Sequence, residues 1–551
     1  MPSAIDQPSK RLKLHPGAFI VLAALYLALT ANLSVPLVFW RAPDAGTGLG
    51  RWLFSASGWL LAWWLVAAVL LLLSLPFGVR GTRVLVALSL LVAAPLGYFA
   101  LFYGVRFDRS MLVNVLETHV AEARDLIGWR LVLWFLVLGV APAFLVLRLP
   151  LFAPRPIHDR LLRLGMLFVV LTLSLSLALL QYQRFASAGR NKTIAFYDVA
   201  PINLLAAAGT EAVKRLDRPP VREPVGTDAR VAYALPKPRL VVFVLGETAR
   251  AQNFSWNGYE RETSPRMRAL DPVFFPTASA CGTTTATSVP CIFSGLGSND
   301  YSYRAARARE TLIDVVARAG VRVLWRDNDA GCKGVCERAE YEDFNEAGHP
   351  LWCRQDERGE CWDEILLEGL EAKLLAQPRD TLVVLHLKGS HGPAYFKRYP
   401  PAFERFTPAC RVKELSACTT EGLVNAYDNT IVYTDHVLGE TQALLARLAD
   451  RFSPVLLYAS DHGESLGELG LFLHGTPRPI APETQTRVPM LAWVSSEFIA
   501  RAGWNEACVR SAGRPGKGHD NLYPTLLGLL GIQTVAYRAE LDLFAGCAPS
   551  M

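Results

Sequence analysis

Three polar clusters in the second half of the chain hold residue types that ligate metals or move protons. Gly246-Glu247-Thr248-Ala249-Arg250 follows the apolar run 240–245. Gly389-Ser390-His391-Gly392-Pro393 follows the run 381–387, and Ser460-Asp461-His462-Gly463-Glu464-Ser465 follows 454–459. Carboxylates and imidazoles at strand ends are candidate ligands for a borderline cation such as zinc. Each cluster alone has a plainer reading: Asp461-His462-Gly463 as a turn, Glu247 as a surface partner of Arg250, His391 and His474 as loop histidines. Their recurrence after successive strand-like runs favours a metal site.

A nucleophile is offered by Thr283, Thr284 and Thr285, which stand between Cys281 and Cys291. The plain account is a polar loop and a helix cap. The chemical account is that a hydroxyl at a helix start faces the positive end of the helix dipole. A metal bound to it would further favour the alkoxide needed for attack.

These residues need a scaffold. The runs 240–245, 321–325, 381–387, 454–459 and 488–494 alternate with helical patterns at 311–319, 362–376 and 422–448. Such alternation predicts an α/β domain with a largely parallel sheet, which gathers functional groups at the carboxyl ends of its strands. A chain of 551 residues exceeds one core, and its 51% apolar content is concentrated in the first third. Runs at 17–40, 59–77, 84–103, 129–147 and 164–182 are long enough to cross a bilayer, predicting five spans. Lys10, Arg11, Lys13, Arg80, Arg83, Arg148, Arg155, Arg160 and Arg163 flank them on one side, the expected cytoplasmic side. The remainder is then outside. The expected domains are a transmembrane domain at 1–183, a linker with an interfacial helix at 184–237 and a catalytic domain at 238–551.

All ten cysteines lie beyond residue 280. Local spacing pairs Cys281 with Cys291, Cys332 with Cys336, Cys353 with Cys361 and Cys410 with Cys418, leaving Cys508 and Cys547. An even number confined to the outer half suits disulfides in an oxidising compartment. A zinc cluster at Cys332/Cys336 would contradict that compartment. The net charge of +6 is small for this length and does not point to nucleic acid.

Taken together, the motifs resemble those of the phosphoethanolamine transferases that modify lipid A, a family that includes the mobile colistin-resistance enzymes. The matching pieces are the three clusters above, the Cys281–Cys291 loop, Asp327-Asn328 with Lys333-Gly334-Val335, Tyr427-Asp428-Asn429-Thr430 and Leu473-His474-Gly475-Thr476-Pro477. The resemblance implies a five-helix membrane domain followed by an alkaline-phosphatase/sulfatase-like α/β domain in the periplasm. It implies that Glu247, Thr285, Asp461 and His462 hold zinc, one ion firmly and a second joining during turnover. Thr285 would take phosphoethanolamine from phosphatidylethanolamine and pass it to a lipid A phosphate, giving polymyxin resistance. Thr283, Lys333, His391 and His474 resemble substrate-contacting or second-metal positions. Asn114, Thr118 and Glu122 recur every four residues and share one helix face, expected to meet the lipid headgroup or to be a solvated interfacial face. The expected state is a monomer.

Rival readings remain at this stage. A transferase of phosphoethanolamine or phosphoglycerol to core oligosaccharide or glucan would share the zinc and threonine. A sulfatase would need a Cys-x-Pro-x-Arg context, whereas Cys281 precedes Gly-Thr-Thr-Thr. A non-catalytic sensor would lack a ligand or the hydroxyl, and none is missing. A transporter would leave the large outer domain unexplained.

Overall fold

The computed structural model describes residues 14–41, 46–117, 120–152, 155–185, 198–216, 222–345, 348–354 and 360–548. The chain forms two compact units. One comprises Met1–Arg109 and Ile127–Glu211; the other comprises Ser110–Leu126 and Ala212–Met551.

In the first unit, Gly48–Ser74, Val79–Phe102, Trp129–Arg148 and Pro156–Leu180 are helices long and apolar enough to cross a membrane. The expected first span is not one straight helix. Pro16–Thr30 and Ser34–Arg41 meet at 60°, so among the described residues the span count is four, or five if this bent pair is one crossing. The bend has a local cause. Asn32 is buried, its side-chain amide donates to the carbonyls of Leu27 (3.1 Å) and Ala200 (2.9 Å), and its oxygen accepts from the Ala200 N–H. Pro36 then brings no N–H to a continuing ladder. The helices pack closely where side chains are small: a Cβ on Gly97 would lie 2.5 Å from the Ala31 Cα.

The second unit is built on a seven-stranded sheet. Its strands are β1 (Arg239–Gly246), β2 (Val273–Phe274), β3 (Arg322–Asp327), β4 (Glu340–Asp343), β5 (Thr381–His386), β6 (Ser453–Ser460) and β7 (Met490–Val494), in the order β2-β7-β6-β1-β5-β3-β4. β6, β1, β5, β3 and β4 run parallel, and β7 alone runs against them, antiparallel to both its neighbours β6 and β2. The largely parallel sheet expected from the alternating runs is present. β1, β3, β5 and β6 are buried at every residue, as a parallel sheet covered on both faces requires. The helical pattern at 362–376 is realised in two pieces, Asp363–Leu367 and Leu370–Ala376, divided at Gly369, whose φ of +68° no right-handed helix accommodates.

All five expected cysteine pairs are disulfides: Cys281–Cys291, Cys332–Cys336, Cys353–Cys361, Cys410–Cys418 and Cys508–Cys547. The segment Ser110–Leu126 is tied into this unit by Asp125, which is buried against the Nζ of Lys397 (2.8 Å) and of Lys413 (2.7 Å) and the guanidinium of Arg398 (3.1 Å). Burial alone would raise the Asp125 carboxyl, but Arg398 and the two ammoniums hold it well below the usual carboxylate range.

Candidate active site

Four neighbouring parallel strands end at one edge of the sheet and deliver their next residues together. β1 ends at Gly246 and presents Glu247; β6 ends at Ser460, paired with Gly246, and presents Asp461 and His462. On the other side of β1, Leu245 pairs with His386 of β5, which pairs with Asp327 of β3. The close approach of β5's loop depends on Gly389, where a Cβ would lie 2.6 Å from the Glu247 carbonyl oxygen. Thr248 has a φ of +59°. It is held there by its N–H to Asp461 Oδ1 (3.1 Å) and by its carbonyl, which accepts the Tyr427 hydroxyl (2.8 Å).

The hydroxyl arrives from outside the sheet. Thr285 is the first residue of the helix Thr285–Ser294, and the Cys281–Cys291 bridge joins the loop before that helix to its second turn. The Thr285 Oγ1 donates to Glu247 Oε2 (3.1 Å) and lies 3.5 Å from His462 Nε2. His462 Nε2 is in turn 3.4 Å from Glu247 Oε1 and 3.3 Å from Asp461 Oδ2. Ligands about 2.0 Å from a tetrahedral zinc ion lie about 3.3 Å from one another, so these separations match a four-coordinate site.

The remaining hydrogen bonds point the ligand atoms inward. His462 Nδ1 is 3.0 Å from the Gly463 carbonyl, which places the proton there and leaves the Nε2 lone pair for a metal. Asp461 Oδ1 accepts backbone N–H groups from Thr248 and His462, while its Oδ2 is buried with no hydrogen-bond partner. Burial pushes the Glu247 carboxyl well up, and the Asp461 and Asp329 carboxylates add to the effect. Burial pulls the His462 imidazole down to about 4, so it is neutral and able to ligate. A buried set with two carboxylates beside a neutral imidazole fits a divalent cation in both donor type and charge.

Around this set, His474 packs its ring 4.4 Å from that of His462 and 5.6 Å from that of His391. Thr283 donates its hydroxyl to the Thr476 carbonyl (2.8 Å), and its own carbonyl accepts the Gly475 N–H (2.8 Å). Lys333 stays with its own loop, its Nζ donating to the Ala330 carbonyl at 2.9 Å. Asn114 is half-buried on the helix Arg109–Glu117; on the same helix, the Met111 methyl packs on Gly475, 2.4 Å from where a Cβ would lie. Thr118 and the Glu122 side chain lie outside the described residues.

Several buried groups here carry no obvious motif. His519 accepts the Cys281 N–H at Nδ1 (3.1 Å) and reaches the Ser460 carbonyl through Nε2 (2.9 Å), bracing the threonine loop against β6. Asp329 follows the strand end at Asp327. His386 falls inside an apolar run, where a histidine reads as core. Only strand order brings these last two beside Glu247.

Comparison with known proteins agrees with this architecture. The sulfatase family model matches residues 239–532, and the model for phosphoethanolamine transferase EptA/EptB matches residues 64–216. Phosphoethanolamine transferase EptA of Escherichia coli (strain K12) is 38% identical over 544 residues, covering 98% of both chains. Phosphatidylethanolamine transferase Mcr-1 of Escherichia coli is 35% identical over 533 residues, covering 95% of this chain and 96% of that one. The solved integral membrane lipooligosaccharide phosphoethanolamine transferase A (EptA) of Neisseria meningitidis superposes with a TM-score of 0.91 at 36% identity, covering 98% of this chain and 100% of its own. The chain belongs to the EptA family of phosphoethanolamine transferases, as an integral membrane enzyme with a periplasmic catalytic domain.

Proposed function

We propose that this enzyme transfers phosphoethanolamine from phosphatidylethanolamine to a phosphate of lipid A, with Thr285 as the group that carries it between them. The observation that supports this most is that the Thr285 hydroxyl, on the first residue of a helix, lies 3.1 Å from Glu247 and 3.5 Å from His462, whose Nε2 is itself 3.3 Å from Asp461. Zinc held by these four would supply Lewis acidity and offset the charge of the phosphoryl group.

The chain's own residues account for the rest of the cycle. Glu247 Oε2 accepts the hydrogen bond of the Thr285 hydroxyl and orients its oxygen for attack on phosphorus. The new bond forms between Thr285 Oγ1 and phosphorus as the bond from phosphorus to the diacylglycerol oxygen breaks. Diacylglycerol leaves with the proton that the hydroxyl gives up, and phosphoethanolamine remains as an ester of Thr285. A lipid A phosphate oxygen then attacks the same phosphorus as its bond to Thr285 Oγ1 breaks, and the proton given up by the incoming phosphate restores the Thr285 hydroxyl. His391, which burial holds well below the ordinary imidazole range, stays neutral and serves as a base at the site's border. Thr283, Lys333, His474 and the Asn114–Thr118–Glu122 face are assigned to substrate contact. The added ammonium group makes lipid A less anionic, so cationic polymyxins bind it more weakly.

Mass spectrometry of lipid A from a polymyxin-sensitive Gram-negative host tests the assignment. A phosphoethanolamine adduct is expected with the wild type and not with Thr285→Ala. Unmodified lipid A with a folded, membrane-inserted wild type would overturn it, and adducts on core sugars or periplasmic glucan would then name the acceptor.

A further inference from the structure

A second set of ligand-type atoms lies on the far side of Glu247. Glu247, Asp329 and His386 are all buried, and one ligand atom from each lies within 4.8 Å of the other two. They leave three adjacent strands, β1, β3 and β5, at their carboxyl ends. The proposed transfer uses neither Asp329 nor His386.

The imidazole is already oriented. His386 Nδ1 is 2.9 Å from Asp327 Oδ2, an oxygen that also accepts the Trp325 indole N–H at 2.8 Å. Asp327 Oδ1 accepts the backbone N–H groups of Asp329 (3.0 Å) and Gly331 (3.1 Å). Asp327 is therefore an acceptor on both oxygens, and the proton between it and the ring belongs to Nδ1. With Nδ1 fixed to Asp327, Nε2 is turned toward Asp329 and Glu247, the orientation found where a carboxylate positions a metal-ligating histidine.

The atoms at that end of the ring lack hydrogen-bond partners. His386 Nε2 and both Asp329 oxygens make no hydrogen bond, although both residues are buried. The separation of 3.8 Å between Nε2 and Asp329 Oδ2 is too long for a charge-assisted hydrogen bond, which runs at about 2.7–2.9 Å. Lys388 directs its ammonium to Asn345 Oδ1 rather than to Asp329. A buried carboxylate with two bare oxygens, facing a second carboxylate and an imidazole, calls for a cation between them.

We propose that Glu247, Asp329 and His386 form a second divalent-metal site, with the Glu247 carboxylate bridging it to the ion held by Thr285, Asp461 and His462. Two carboxylate oxygens and one imidazole nitrogen suit Zn2+ or Mn2+, not the all-oxygen coordination of Ca2+. The proposed set includes neither His391 nor His474, whose rings lie 5.6 Å apart, with that of His474 4.4 Å from that of His462. Its charge would let Glu247 and Asp329 both remain ionised. The proposal rests on the first cluster being a metal site, because the two share Glu247.

The test uses the full-length protein in detergent, stripped with chelator, reloaded with Zn2+, desalted and measured by elemental mass spectrometry. The wild type is expected to retain one equivalent more than Asp329→Asn, and replacing His391 and His474 together with alanine should not remove that equivalent. Equal retention by wild type and Asp329→Asn would overturn the second site and leave the first intact. No retention by the wild type would overturn both. A measurement independent of any variant is electron paramagnetic resonance of Mn2+-loaded wild type. A carboxylate-bridged pair gives an exchange-coupled signal, whereas the spectrum of isolated ions alone would overturn the proposal.

Discussion

Two buried polar clusters in this protein are finished to different degrees. In the membrane unit, Arg163 is completely buried and its guanidinium is satisfied by Asp159, the Ser74 and Phe77 carbonyls and the Thr82 hydroxyl. His15 adds a contact to Asp159 at 3.1 Å. At the sheet edge of the catalytic unit, Asp461 Oδ2, both Asp329 oxygens and His386 Nε2 are buried without hydrogen bonds. The difference separates structure from chemistry. A buried polar network closed within the chain holds helices together, whereas one left open inward is shaped for something the chain does not itself supply.

The contrast can be broken at either cluster. The largest effect is expected from Thr285→Ala, which removes the proposed nucleophile and should lower transfer by on the order of 10^4-fold or more, measured as phosphoethanolamine transfer in detergent. Folding should be unaffected, because the Thr285 hydroxyl serves only the open cluster. Asp461→Asn should cost roughly 100-fold in zinc affinity at the first site, read by metal titration. Similar affinity in wild type and variant would count against Asp461 as a ligand.

At the closed cluster, Arg163→Met should cost about 3–5 kcal/mol of stability by leaving Asp159 buried and unpaired, while the folded fraction keeps its metal content. Changing Asp159 to leucine as well should recover most of that loss, measured by thermal unfolding in detergent. A double variant no better than the single would show that the closed network acts through something besides charge pairing.

The smallest effect concerns Asp125. Asp125→Asn should destabilise by roughly 2 kcal/mol at neutral pH, the scale of losing hydrogen bonds to charged groups. The Asp125 carboxyl is held below its unfolded value by Arg398, Lys397 and Lys413. Its contribution is therefore present above the unfolded pKa of about 3.9 and fades as pH falls from there toward the lower folded value. Unfolding curves of wild type and variant should converge in acid; a gap that persists at low pH would refute the ion-pair account.

Much of the architecture was legible before any coordinates. Glu247, Asp461 and His462 stand out because each follows an apolar run, and Thr285 because it sits between two cysteines at a helix start. Those are signals of local order, written in neighbouring residues. His386 and Asp329 send none, since a histidine within an apolar run and an aspartate in a loop have many uses. The same holds for His519, whose two bonds reach partners 238 and 59 residues away.

By itself, the sequence determined the apolar spans, the alternating strands and helices, the local disulfide pairs and the residue types at the strand ends, because each depends on periodicity or spacing over a few turns. Tertiary structure alone decided that β6, β1, β5 and β3 lie side by side, that the first apolar helix bends at Asn32, and that residues 110–126 pack with the catalytic unit. Those outcomes are settled by pairing between groups far apart in the chain, such as Asn32 with Ala200 and Asp125 with Arg398. No local pattern encodes such a pairing, because its free energy exists only once both partners are buried together.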